Sequence, residues 1–366
     1  MRKTGPGLRI CVVGPLPPPS GGMANQCEQL ARLLCAEGLE VELVRNNAPY
    51  YPAWVGRLPV VRAGFRLLPY LFRLWRAAGR ADVMHILANS GWAWHLLAAP
   101  AMVIGQVRGA GIIVNYRGGN ADRFFASAPW HVFYLLKKAD LRVTPSAFLL
   151  RVFAQHGMVA EVIPNIIDLS RFAPVAQRAF GNAPHLIVTR NLEPIYDIPT
   201  AIRAFARIRA VFPQARLTVA GSGPEQGPLQ ALVAERGLES CVAFPGRIAN
   251  ADIPALYQSA DCLLNPSTVD NMPISLLEAF ASGVPVVSTN AGGIPDLAEH
   301  GISAWLTPVG DDVAMADAAI RVLREPDLAE KLRQAGLNEA SKYAWPQVRM
   351  LWLEAYGRVA SVRGKK

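Results

Sequence analysis

"STVDNMPISLLEAFASGVPVVSTNAGGIPD", residues 267–296, places two of its three carboxylates, Asp270 and Glu278, on either side of a turn that contains Pro273. The apolar run "DCLLN" (261–265) precedes it, and "VPVVST" (284–289) lies within it. Strand, polar turn, apolar helix and strand in that order read as two parallel strands joined by a crossover helix. Asp270 then falls on the loop beyond the first strand, and Glu278 falls inside the helix.

The same alternation extends outward in both directions. Toward the N-terminus the strand-like runs are "LRICVV" (8–13), "VELV" (41–44), "DVMHIL" (82–87), "GIIVNY" (111–116) and "LRVT" (141–144). The second half adds "HLIVT" (185–189), "RLTVAG" (216–221), "CVAF" (241–244) and "SAWLT" (303–307). Helical or mixed segments separate them, so the expected fold class is α/β, with two doubly wound Rossmann-like domains and a cleft between them. The polar, Pro-containing stretch "SRFAPVAQRAFGNAP" (170–184) reads as the linker. Two domains also suit 366 residues, too many for one core.

Composition excludes several classes. Half of the residues (51%) are apolar and 18% are charged, which is a globular balance. "LRICVVG" is too short an apolar core for an export signal. The longest apolar run, "WAWHLLAAPAMVIG" (92–105), is too short to span a bilayer and reads as a buried helix. Five cysteines without a CxxC pair imply free, mostly buried thiols in a reducing, cytoplasmic setting. Six histidines without ligand spacing give no reason to expect a metal. His85, at a strand end, and His131, at a helix start, read as structural.

Charge is uneven. Residues 1–177 hold 19 Lys/Arg against 9 Asp/Glu, and the remainder holds 18 against 19. Much of the excess comes from Arg62, Arg66, Arg73, Arg76 and Arg80. On one helix these fall within roughly 40° of a line. Leu67, Leu68, Leu71, Phe72, Leu74 and Trp75 would take the other side, although Pro69 argues against one straight helix. The segment reads either as a surface helix packed on its sheet or as a basic amphipathic element attracted to anionic lipid. No nucleic-acid recognition motif accompanies the charge. At the end of the first strand, "GPLPPPSGGMANQ" (14–26) places Gly21 and Gly22 at a helix start, where bare backbone amides suit a phosphate. It lacks the glycine spacing of a dinucleotide site.

The stretch around Asp270 and Glu278 resembles the signature of retaining glycosyltransferases of family 4, which have the GT-B fold. "VIPNIIDLSRF" (162–172), "VTRNLEPIYDIPTAIRAF" (188–205), "VAGSGPEQGPL" (219–229) and "FPGRI" (244–248) resemble further family blocks in the same order. The resemblance implies an acceptor-binding domain at 1–177, a nucleotide-sugar-binding domain at 178–345, and a final helix at 346–366 that crosses back to the first domain. Glu278 would accept hydrogen bonds from the donor ribose, and an ionised acceptor strengthens them. Asp270 would hold hexose hydroxyls near the anomeric carbon. Asn271, Met272, Pro273 and Ile274 would offer amides at the helix N-terminus to the sugar and diphosphate. Backbone near Arg247 and Ile248 would meet the base.

Departures from the family are as informative. Its Arg–Lys pair on the diphosphate is Arg190 and Tyr196 here, so one cation is missing. The first Glu of its motif is Asp270, one methylene shorter. Where many members have a histidine, this chain has Arg117, which can hold oxygen atoms but cannot act as a base. The implied activity is transfer of a hexose-type sugar, with retention, from a UDP- or GDP-sugar to an acceptor hydroxyl, without metal or other cofactor. A cell-surface polysaccharide or glycolipid pathway would fit. The basic elements, with Arg358, Arg363, Lys365 and Lys366 near the C-terminus, imply a peripheral protein at the inner face of the plasma membrane and a lipid-linked or membrane-held acceptor. A GT-B epimerase, a phosphorylase and a catalytically weak scaffold subunit are the alternatives.

Overall fold

Apolar runs bounded by turns assemble into two six-stranded, wholly parallel sheets. The computed structural model describes residues 7–18, 21–50, 54, 58, 61–174 and 181–363, without the side chains of 61–63 and 363. In chain order the first elements are β1 (Arg9–Gly14), α1 (Gly22–Ala36), β2 (Glu40–Arg45), α2 (Val61–Ala78) and β3 (Val83–Ala88). A π-helical turn (Trp94–Ala98), α3 (Ala99–Val107), β4 (Gly111–Tyr116), α4 (Ala121–Ala126), α5 (Trp130–Lys138), β5 (Leu141–Thr144), α6 (Ala147–Gln155) and β6 (Glu161–Val162) follow. The second set is β7 (His185–Val188), α7 (Ile198–Val211), β8 (Arg216–Ala220), α8 (Gln226–Glu235), β9 (Val242–Gly246), α9 (Ile253–Ser259) and β10 (Cys262–Asn265). It continues with α10 (Ile274–Ala281), β11 (Val286–Thr289), α11 (Ile294–Leu297), β12 (Trp305–Thr307), α12 (Asp312–Arg324) and α13 (Pro326–Ser341). Helix α14 (Trp345–Arg363) ends the described chain.

Two compact units result: Met1–Ile166 with Trp345–Lys366, and Ile167–Ala344. The first boundary falls ahead of the expected linker. Ile167 already pairs with Ala344, and Phe172 packs in the second unit's core. Residues 175–180 of that linker lie outside the described residues.

In the first unit the strand order is β2-β1-β3-β4-β5-β6. Both faces are covered over the central strands β1, β3 and β4, which is why these read as unbroken apolar runs, while the edge strand β2 is mostly exposed or half-buried. Cys11 and Val13 join a core with Leu74 and Met102, while Ile10 and Val12 join another with Trp352 and Tyr356 of α14. His85 lies inside β3 rather than at its end. Asn115 Nδ2 sits 3.1 Å from His85 Nε2, which leaves Nδ1–H to donate to the Tyr356 hydroxyl at 2.6 Å. Burial, with the charge of Arg117 adding to it, pushes the His85 pKa down to about 3, so the ring is neutral.

Several expectations for the basic elements are corrected. Helix α2 runs unbroken through Pro69. Leu67, Leu71 and Leu74 face the core, but Leu68, Phe72 and Trp75, expected on that side, are exposed together with Phe65. More than half of the circumference is apolar, and one sheet face cannot cover that arc. Arg66 lies over the Tyr50 ring at 4.0 Å with its Nε buried, rather than free in water. Arg80 lies beyond the helix and pairs with Glu42 at 2.6 Å. The apolar run 92–105 is not wholly buried: Trp92, Leu96 and Val103 are exposed. Arg358, expected as one of the free basic groups near the C-terminus, pairs with Glu161 at 2.5 Å. The side chains of Arg62 and Arg363, and residues Lys365 and Lys366, lie outside the described residues. Cys11, Cys27 and Cys262 are buried, Cys35 is exposed, and all five thiols are free.

Candidate active site

The second sheet runs β12-β11-β10-β7-β8-β9. From β7 the chain first builds outward through β8 and β9, then returns to β10 on the other side of β7 and builds the opposite way. Ligands of such sheets bind beyond the carboxyl ends at this reversal. Arg190 follows β7 and Asp270 follows β10, so the topology brings both to the reversal point.

Arg190 Nη2 donates to Asp270 Oδ2, and Nη1 donates to Ser275 Oγ at 3.2 Å. The guanidinium carbon lies 4.1 Å from the Tyr196 ring centre. Tyr196 thus adds no charge; it supports the arginine with its aromatic face. Burial raises the Tyr196 pKa, so its hydroxyl stays protonated. Arg190 and Asp270 are only 11% and 12% exposed, so the pair is weakly screened. Asp270 Oδ1 accepts from the Asn271 amide at 2.8 Å, and its carbonyl accepts from Gly293 N at 2.8 Å. Gly292 makes this approach possible: its φ is +56°, and a Cβ there would lie 2.1 Å from the Asp270 oxygen. On the other side, a Cβ on Gly221 would lie 1.9 Å from the Arg190 carbonyl oxygen, so "GSGPE" is a strand-to-helix turn fitted beneath the arginine loop.

Glu278 sits one helical turn beyond Ser275 on α10. Tyr257 of α9 holds it: the phenol oxygen is 2.9 Å from Glu278 Oε2, 3.1 Å from the Ser275 carbonyl and 2.7 Å from Thr189 Oγ1. Burial pushes the Glu278 pKa up to about 7, opposed by the Tyr257 bond and by the charges of Arg171 and Arg190. The site therefore holds a carboxylate poised to gain or lose its proton near neutrality.

Asn271, Met272 and Pro273 are buried and lead into Ile274, the first residue of α10. Met272 packs in the core, so its backbone rather than its side chain is what the site can use. Arg247 and Ile248 follow β9, and Arg247 Nη2 donates to Ser222 Oγ at 3.2 Å beyond β8. All these residues belong to the second unit. Gly21, Gly22 and Arg117 belong to the first, at the carboxyl ends of β1 and β4. Gly21 caps α1, and a Cβ on it would meet nothing within 4 Å, so the fold itself does not demand glycine there. Arg117 donates through Nη2 to Asn165 Oδ1. Burial lowers its pKa to about 10, and it stays charged at neutral pH. Tyr257 was not legible as a site residue. It lies far from Glu278 in sequence, on a different helix, in an apolar context. Among the described residues no group of three or more His, Cys, Asp or Glu could hold a metal ion.

Known proteins match this chain in two blocks. The model described as glycosyl transferases group 1 matches residues 172–339, and the glycosyltransferase family 4 model matches residues 20–171. A putative colanic acid biosynthesis glycosyltransferase, WcaL of Salmonella typhimurium, is 33% identical over 156 residues, 41% of this chain and 38% of that protein. The match thus spans well under half of that relative's length. A phosphatidyl-myo-inositol mannosyltransferase of Mycobacterium leprae is 26% identical over 94% of this chain and 95% of its own. HepE of Anabaena, solved in complex with UDP and glucose, superposes with a TM-score of 0.73 at 19% identity, over 95% of this chain and 99% of its own. The two family models together run without a gap from residue 20 to residue 339, and the chain belongs to glycosyltransferase family 4, with the GT-B fold.

Proposed function

We propose that the chain is a retaining glycosyltransferase. It moves a hexose-type sugar from a UDP- or GDP-sugar to an acceptor hydroxyl in cell-surface polysaccharide or glycolipid synthesis. The observation that carries this reading is the constellation at the β7–β10 reversal: Arg190 between Asp270, Ser275 and Tyr196, one helical turn from a Glu278 held by Tyr257. Glu278 takes the ribose diol, Asp270 takes hexose hydroxyls, and Arg190 meets the charge that develops on the departing diphosphate. The amides opening α10 add partial positive charge. Arginine and helix ends meet the diphosphate charge, so the reading takes no metal.

The names of the relatives support the substrate classes. The M. leprae protein is named for a phosphatidyl-inositol acceptor, and HepE was solved with UDP and glucose. The acceptor here is lipid-linked or otherwise membrane-held. Arg73 and Arg76 on α2 draw the chain to an anionic surface, at about 1 kcal/mol per engaged cation.

A thermal-shift screen of UDP, GDP, ADP and their sugars tests the donor. A ligand at 100 times its Kd adds about 2.7 kcal/mol of stability. Glu278→Ala is expected to cost about 1.5 to 3 kcal/mol of nucleotide binding. Asp270→Ala is expected to spare free nucleotide and impair transfer. Arg190→Ala is expected to slow turnover a hundredfold or more. Unchanged nucleotide affinity in Glu278→Ala, or a product of inverted anomeric configuration, would refute the reading.

A further inference from the structure

Helices α2, α3 and α5 cover one face of the first unit's sheet, burying Leu74, Met102 and Leu136 in a single core. They lie side by side. The Tyr70 hydroxyl of α2 donates to the Leu97 carbonyl at 2.8 Å, just before α3. Arg108, at the end of α3, holds its guanidinium 4.8 Å from the Trp75 ring of α2. Gln106 of α3 donates to the Lys138 carbonyl of α5 at 3.3 Å. Their outer sides therefore form one continuous surface of the unit.

That surface is apolar where a water-facing helix is normally polar. On α2 the outer line is Phe65, Leu68, Phe72 and Trp75, with Leu68 70% exposed. Helix α3, "APAMVIGQV", contains no charged residue, yet Val103 and Val107 face outward, preceded by Leu96 of the π turn. Trp92 and Trp130 are 78% and 75% exposed, and Tyr134 continues the line along α5. Exposed apolar area of this extent marks an interaction site.

The charges say what covers it. Residues 61–138 hold ten Lys/Arg and two Asp/Glu, and of the cations Arg80 is paired with Glu42 and Arg117 lies at the end of β4, bonded to Asn165. Asp82 is paired with Arg9, and Asp122 faces His156. The cations sit among the aromatic rings: Arg108 over Trp75, Arg76 over Phe72, and Lys138 over Tyr134. Apolar side chains, interfacial Trp and Tyr, and a cationic rim without acids are the chemistry of a membrane–water interface. Two copies meeting through this face would set like charges against each other. No described helix is long and apolar enough to cross a membrane.

We infer that the outer face of α2, α3 and α5 inserts into the interfacial layer of an anionic bilayer, so that the chain lies in the membrane surface rather than only being attracted to it. The inference deepens the proposed membrane-held acceptor and rests on that reading. Flotation of the full chain with vesicles of phosphatidylcholine and phosphatidylglycerol, at low and molar salt, tests it. Molar salt screens charges beyond about 3 Å. The expected result is binding that weakens but persists at molar salt, with tryptophan emission quenched by lipids brominated on their acyl chains. Leu68→Ser with Phe72→Ser changes no charge. It is expected to lower partitioning at least tenfold at both salts, while the melting temperature and transfer to a soluble acceptor analogue stay unchanged. Binding that vanishes in molar salt without quenching would overturn insertion and leave electrostatic attachment. A solution dimer that this double variant dissociates, with no vesicle binding, would make the face a chain–chain interface and overturn the inference. Salt-resistant, quenched binding by a protein that transfers no sugar would remove the proposed activity and leave insertion standing.

Discussion

Helices α3 and α10 are both short and strongly apolar, "APAMVIGQV" against "ISLLEAFA". The second is enclosed: Leu276, Leu277, Ala279 and Phe280 are all buried, and its one charged residue, Glu278, is held by Tyr257. The first buries one side and leaves Val103 and Val107 to solvent. Composition alone does not separate them. What separates them is the second layer: α10 packs against α13, which covers its outer side, whereas nothing among the described residues covers the outer line of α3. An apolar helix covered by its own fold serves a site; one left uncovered points to a partner outside the chain.

The largest effect should come from the covered helix. Leu277→Ala removes a fully buried side chain and is expected to cost about 2 to 5 kcal/mol of stability in denaturant unfolding. A cost below about 1 kcal/mol would mean α10 is not enclosed as described. The next effect concerns the charge inside it. The Glu278 pKa rises from an ordinary 4.5 to about 7, so between those values the folded chain keeps a proton that the unfolded chain has released. Stability should therefore fall as pH rises through that window and level off above it. Glu278→Gln removes that loss and is expected to gain up to about 3 kcal/mol at pH values above 7, with little change near pH 4.5. Stability curves for the two proteins that run parallel from acid to neutral pH would show that Glu278 is not desolvated. The smallest effect belongs to the uncovered helix. Val103→Ser should change stability in water by no more than about 0.5 kcal/mol, because the side chain has little packing to lose. A loss comparable to that of Leu277→Ala would place Val103 in a core.

The sheets were legible because buried parallel strands are apolar on both faces. Runs such as "GIIVNY" announce themselves, and only the two-residue β6 went unread. The site was legible where chemistry is local in sequence. Asp270 and Glu278 are separated by one turn and part of one helix, and the turn fixes their relation. Tyr257 and the Arg190–Asp270 pair were not legible as contacts, because they depend on which strands lie side by side. The exposed side of α2 was misread for a different reason. Helical periodicity says which residues share a face, but not which face the sheet covers, and Phe72 and Leu74 look alike until the second layer is in place. The pairing of Arg358 with Glu161 spans 197 residues and leaves no trace in local sequence.

The packing of α14 bears on how the chain is made. Val348, Trp352, Ala355, Tyr356 and Val359 complete a core whose other buried members lie in the first 166 residues, and the His85–Tyr356 bond ties the two together. A ribosome delivers the entire second unit between these two portions. At 5 to 20 residues per second, the first sheet waits roughly 10 to 40 s with one apolar face only partly covered, by α1, while the unit synthesised later can already close. The part of the protein that is born first is therefore the last to finish folding.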